Sequence, residues 1–322
     1  MSVEVTAEAP NKTIIHYANN PTVNEILDEY LRAKRDPNAY RPCKTSEDIA
    51  LHLKSARAVW GTWRIEDFRR GSKLRVENQV SLWRAGEDGV CFATCRKRLT
   101  LFRAAFNHSV SYELIERGQV PVFDLPPNSP PRARYIDPEK ELGRLLDEAD
   151  DPRTPFHIRG ALWVLLITGV RCGALLALKW SNVNFEKRVV AFRDTEAAHE
   201  RTKKRRIDQP MSDALYKVLI ELKERATSEY VIEWRGKGVK TVYPAMKKLF
   251  ARAGIPDVRV HDIRRTSATL VYRGLGGDVQ KAANHIGDST KVAESVYIRK
   301  QVEDNLAGVE AATASILDAR RK

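Results

Sequence analysis

With 322 residues and 43% hydrophobic side chains, the chain can form two domains with packed cores, which excludes wholesale disorder. A formal net charge of +13 points to a polyanionic partner, nucleic acid first, against the blander reading of a basic soluble protein. The longest apolar run, Ala161 to Val170, is too short for a bilayer and no basic-then-apolar leader opens the chain, so a cytoplasmic protein with no membrane partner is expected. Cys43, Cys91, Cys95 and Cys172 lack Cys/His partners at zinc-finger spacing. They read as free thiols in a reducing compartment, with no metal expected.

Residues 1–20 show no periodicity and are expected to form a mobile tail. In "TVNEILDEYLRAK", Val23, Ile26, Leu27, Tyr30 and Leu31 recur at helical spacing, and "SEDIALHLKSARAVWGTW", "KLRVENQVSLWRA" and "CRKRLTLFRAAFNHSVSYELI" follow suit. Residues 21–118 therefore predict an all-α helical bundle of four or five helices. Arginines and lysines interleave there with Trp60, Trp63 and Trp83, indoles that pack a core more often than they stack on bases. The proline-rich "GQVPVFDLPPNSPPRAR" cannot propagate a helix and marks a linker over residues 119–134.

Residues 135–300 predict a second domain, mainly α with a small antiparallel β-sheet. "DPEKELGRLLDEA" is helical, as is "FHIRGALWVLLITGVRCGALLALKW", with breaks expected at Gly169 and Gly173. "VNFEKRVVAFRDT" alternates and, with "RTKKRRIDQPM", reads as strands joined by a basic turn. Helices resume in "SDALYKVLIELKERA", "VYPAMKKLFARAG" and the segment from His261 onward. In the tail over 301–322, Val302, Leu306, Val309, Ala312, Ile316 and Leu317 form one apolar stripe of a C-terminal helix.

Several polar residues of this domain occupy special places. Arg171 lies in the glycine-flanked break of an apolar run, an awkward site for a charge without a partner. Lys203 stands in the basic turn. His261 and Arg264 are spaced i,i+3 and share one helix face, and Tyr297 follows on a later helix. Two arginines can grip a phosphodiester's oxygens, a lysine can protonate a leaving group, a histidine can move a proton and a tyrosine can attack. Each element alone is weak: "TKKRRI" is more often a solvated turn.

Together, these segments resemble the tyrosine recombinase (phage integrase) family. "TGVRCGALLALKWSNVNF" is similar to the family's first arginine box and assigns Arg171. "TKKRRIDQPMSDAL" resembles its lysine hairpin, with Lys203 as general acid and Lys204 as the competitor for that role. "HDIRRTSATL" matches the HxxR box and gives His261 and Arg264, leaving Arg265 as a flanking phosphate or structural contact. "HIGDSTKVAESVY" has the spacing of the final box and places the nucleophile at Tyr297.

The resemblance implies site-specific cleavage and rejoining of DNA through a 3′-phosphotyrosyl intermediate, with no cofactor; no GxxxxGK[ST] loop is present. The partners it implies are a double-stranded DNA recombination site, further copies of the chain in a synaptic homo-tetramer and an accessory DNA-bending factor. The apolar C-terminal helix would dock in trans on the next protomer, or else fold back on its own domain. Two rivals stay open: a recombinase-derived DNA-binding regulator that has lost cleavage, and a type IB topoisomerase.

Two positions depart from the family's pattern. Ala174 stands three residues after Arg171, where the family usually carries an acidic residue that steadies the arginine. Asp288 stands where a hydrogen-bond donor is usual, and an ionised carboxylate only accepts and repels phosphate. Asp288 turns away towards Arg264, Arg265 or a backbone donor, or His285 one helical turn earlier lends the missing donor, or the site is weakened. On this reading a working enzyme is expected, and Asp288→His is expected to raise cleavage.

Overall fold

The structure is a computed structural model and describes residues 20–36, 45–86, 89–130, 132–192 and 208–298, together with Thr313. The N-terminal tail, Lys203, Lys204 and the apolar stripe of the C-terminal segment lie outside the described residues. The chain divides into two compact units, Met1–Pro130 and Pro131–Lys322.

In the first unit, α1 (Val23–Arg35) starts at a capping box. The Thr22 hydroxyl accepts from the Glu25 N–H at 3.3 Å, and the Glu25 carboxylate accepts from the Thr22 N–H at 2.6 Å. Helices α2 (Ser46–Trp60), α3 (Ile65–Arg69), α4 (Ser72–Ala85) and α5 (Phe92–Ser111) follow. Their core centres on aromatic rings: Phe68 meets Phe102 edge-on at 5.5 Å between centroids, and Phe102 meets Phe106 edge-on at 5.1 Å. The three tryptophans divide. Trp60 is buried, Trp83 leans on it edge-on at 5.9 Å, and Trp63 is exposed beneath the Arg75 guanidinium at 4.4 Å.

The proline-rich run lies against the first core over part of its length. Val120, Phe123 and Leu125 pack against the first core. The Ser72 hydroxyl donates to the Val122 carbonyl at 2.7 Å, while Arg103 and Arg96 donate to the carbonyls of Phe123 and Pro126. A run that joins no helix or sheet leaves its carbonyls without ladder partners, and side-chain donors fill that need here.

In the second unit, α6 (Leu142–Asp150) and α7 (Phe156–Thr168) precede a short α8 (Cys172–Leu176). Gly169 caps α7 at φ 59°, whereas Gly173, expected to break the helix, lies inside α8. Strands β1 (Val183–Asn184), β2 (Val189–Ala191) and β3 (Asp208–Pro210) form an antiparallel sheet in that order, with Val190 opposite Gln209. After α9 (Asp213–Glu224) comes a hairpin of β4 (Glu233–Trp234) and β5 (Lys237–Gly238) that the sequence pattern did not reveal. Arg235 and Gly236 turn it at φ 52° and 75°, the left-handed pair of a tight hairpin. Then follow α10 (Tyr243–Arg252), α11 (Val260–Gly274), α12 (Val279–Ile286) and α13 (Thr290–Val292), which runs into a π-helical turn over Ala293–Tyr297. Helix α7 buries Leu162, Val164 and Leu165 and packs against both α9 and α11, the placement its nearly all-apolar sequence calls for. Among the described residues no helix is long and apolar enough to cross a membrane.

Candidate active site

Helix α11 is the spine of the site. It buries Asp262, Arg264, Arg265, Thr266, Ser267 and Thr269, so its inner face is polar. Such a face is costly unless every group finds a partner. Asp262 provides one: it accepts the Arg259 N–H at 2.9 Å at the helix start and pairs with Arg265 Nη1 at 2.5 Å. Arg265 Nε in turn reaches the Val296 carbonyl at 3.2 Å. This arginine is committed to tying α11 to the residue before Tyr297.

Arg264 points the other way and is 2% exposed. Its Nη1 donates to the Gly169 carbonyl at 2.7 Å and the Ile286 carbonyl at 2.6 Å, so the ends of α7 and α12 hold the guanidinium. Gly169 allows this close approach. A Cβ there would stand 2.8 Å from Ser267 Oγ and 2.9 Å from Ile286 Cγ2, besides the strain of its positive φ.

Arg171, at the N-cap of α8, and Arg264 converge. Each donates an Nη2 hydrogen bond of 2.6 Å to one oxygen, Oδ2 of Asp288. Asp288 gets there because Gly287 closes α12 in the left-handed conformation at φ 68°, and the Asp288 N–H bonds back to the Ala283 carbonyl at 3.0 Å. So Asp288 contacts Arg264, one of the partners expected of it, together with Arg171 and not Arg265.

Tyr297 ends the π-helical turn, which the Ile298 N–H closes onto the Ala293 carbonyl at 2.8 Å, and it is 5% exposed. The Arg264 guanidinium lies 4.7 Å from the Tyr297 ring centroid, and the His261 ring centroid lies 5.4 Å from it. Desolvation first, then the cations of Arg265 and Arg264, hold His261 below the usual histidine pKa, although the residue as a whole is exposed. Burial works against the Arg264 cation, while Tyr297 and Asp288 work for it.

His285 is engaged elsewhere. Its Nε2 sits 3.0 Å from Ser267 Oγ, and its carbonyl accepts from Gln209 on β3. Burial, then the Arg264 charge, pushes its pKa down to about 4, so it is neutral at pH 7.

Arg171, His261, Arg264, Asp288 and Tyr297 thus gather at one place, while Lys203 and Lys204 lie outside the described residues. Asp262 escaped the sequence reading, although its i,i+3 spacing to Arg265 is a readable salt-bridge signal, and Gly169 was read only as a helix break. No group of three or more His, Cys, Asp or Glu that could hold a metal occurs among the described residues.

The fold is that of the tyrosine integrases. Lambda integrase, solved as a dimer bound to a COC′ core site, superposes with a TM-score of 0.68 at 19% identity, covering 86% of this chain and 77% of that one. The Tn1549 transposon integrase, in complex with transposon right end DNA, gives 0.70 at 16% identity, covering 90% of this chain and 99% of that one. At such identities the likeness is one of fold. Sequence carries it further: the phage integrase family model matches residues 137–303, just over half of the chain, and this chain belongs to that family. A Haemophilus influenzae relative is 25% identical over 189 residues, 56% of this chain. The integrase of Salmonella phage P22 is 26% identical over 173 residues, 49% of this chain. The chain spans 49% and 42% of those two relatives, about half their length.

Proposed function

We propose that this chain is a site-specific DNA recombinase that cuts and rejoins DNA strands through a 3′-phosphotyrosyl intermediate. The observation that carries the reading is the convergence of Arg171 and Arg264 on one anionic oxygen, with Tyr297 against Arg264 and His261 against Tyr297. Each guanidinium has N–H groups beyond the one it gives to Asp288, and such forked donors suit the oxygens of a phosphodiester. Tyr297 Oη attacks phosphorus: the tyrosyl O–P bond forms, and the bond from phosphorus to the 5′ oxygen breaks. Neutral His261 takes the phenolic proton, and Lys203, or its neighbour Lys204, gives one to the leaving 5′ oxygen. Arg171 and Arg264 stabilise the charge that gathers on the non-bridging oxygens. The 5′-hydroxyl of a partner strand then reverses the sequence and reseals the DNA, so the phosphotyrosyl bond conserves the energy of the broken one.

Family membership supports this reading, and so do fold neighbours solved with DNA, among them lambda integrase as a tetramer bound to a Holliday junction. On that basis the working form is a homo-tetramer on two duplexes. The second reading, a DNA-binding regulator, draws on one observation: Asp288 stands between the two arginines.

Nicked duplexes from a random-sequence pool separate the two. A nick beside the cut lets the short 5′-hydroxyl fragment diffuse away and traps the covalent protein. After enrichment for SDS-stable adducts, the wild type should form adduct, and Tyr297→Phe should form none while its gel-shift affinity is unchanged. Adduct on Tyr297→Phe at the wild-type rate would assign the attack to another residue. Sequence-selective binding by the wild type without adduct would favour the regulator.

A further inference from the structure

The two departures from the family's pattern meet in the structure. Ala174 lies in α8, its N–H bonded to the Arg171 carbonyl at 2.8 Å, and it offers Arg171 no side-chain acceptor. Asp288 supplies one from α12's end, at 2.6 Å from Arg171 and 2.6 Å from Arg264. The geometry points to Asp288 as a positioning residue: its carboxylate keeps Arg171 and Arg264 aimed at one point and replaces an acidic side chain at position 174. This rests on reading the pair as a phosphate clamp.

Charge explains why the departures belong together. Two guanidinium groups and one carboxylate leave one net positive charge, the complement of a singly charged phosphodiester. A carboxylate at 174 with a neutral donor at 288 leaves the same balance. Ala174 with a neutral 288 instead leaves two cations side by side, one of them with a side chain only 3% exposed, where water screens little. Arg264 Nε is buried without a hydrogen-bond partner among the described residues, an N–H still uncommitted in a site built for an anion. The sign expected for Asp288 is therefore reversed: a carboxylate that merely filled the phosphate position would release activity when removed, whereas a positioning carboxylate takes activity with it.

The test uses the full chain and the enriched nicked duplex. Misaimed clamps cost on the order of 100-fold, so Asp288→Asn and Asp288→Ala should slow adduct formation by about that factor. Gel-shift affinity should move far less, because the rest of the DNA contact surface is untouched. Asp288→Glu, which keeps the carboxylate, should react at least about tenfold faster than Asp288→Asn, and Ala174→Glu should restore at least about tenfold to Asp288→Ala. Adduct formation by Asp288→Ala at or above the wild-type rate, or equal rates for Asn and Glu, would overturn the proposal. If Ala174→Glu fails to fold, shown by its melting curve, the Asn and Glu contrast decides alone.

A measurement without DNA separates this inference from the functional reading. The Arg171 Nε–Hε NMR signal, assigned through Arg171→Lys, should report a rigid side chain in the wild type and a flexible one in Asp288→Asn. Rigidity in both sinks the positioning role even if no adduct ever forms. An adduct-free wild type with that NMR contrast intact sinks only the recombinase.

Discussion

Helix α5 in the first unit buries Cys95, Leu99, Leu101, Phe102, Ala105, Phe106 and Ser109, whereas α11 in the second buries, beside Val260, Ile263, Ala268 and Tyr272, two arginines, an aspartate, two threonines and a serine. The first is held by area and shape, which any close-packed set of apolar side chains can supply. The second is held by directed hydrogen bonds that need particular atoms at particular distances. Where a chain keeps buried charge on a central helix, stability is a poor explanation, because apolar side chains of equal volume serve at least as well. Chemistry is the better one.

Substitution should break the two helices in different ways. Arg264→Ala strips donors from the Gly169 and Ile286 carbonyls and leaves Asp288 half-paired. It should cost about 3–5 kcal/mol of stability and, in the fraction still folded, about 100- to 1000-fold in adduct rate. Arg265→Ala should lower the adduct rate less, since its bonds go to Asp262 and Val296 rather than to the arginine pair. Equal losses in a single-turnover assay would show that the two arginines share one task. Phe102→Ala should cost a similar 3–5 kcal/mol in urea unfolding. Its adduct rate per folded molecule should stay at the wild-type value, and a large drop there would deny the contrast.

The smallest effect is one of pH. His285 has a folded pKa of about 4 against an ordinary value of 6.5, so the unfolded chain binds its proton first. The stability this contributes is complete above pH 6.5 and drains away as pH falls towards 4, by up to about 3 kcal/mol. Urea midpoints of the wild type and His285→Gln should converge on acidification. Parallel curves would place the acid sensitivity elsewhere.

Periodicity made the helices legible from Val23 to Tyr297, because amphipathic helices print their burial on the sequence. Arg171, His261, Arg264 and Tyr297 were legible as a set through their order and resemblance. What stayed hidden depended on direction or on very short elements. The hairpin Glu233–Gly238 has two-residue strands, too few to alternate. Asp288 could be named as anomalous, yet its orientation follows from the left-handed turn at Gly287, which only the folded backbone shows. The contacts of the proline-rich run stayed hidden for a similar reason, since proline content says nothing about which arginines lie alongside.

The missing methyl at Gly169 has a consequence for anyone who would transplant this site. The end of α7, the Ser267 face of α11 and Ile286 on α12 meet within 3 Å of where that Cβ would be. The same three helices supply both carbonyls and the backbone of Arg264. A graft that copied five side chains onto a foreign scaffold would lose the contact that sets their spacing. The smallest portable unit is the trio of helices with its glycine.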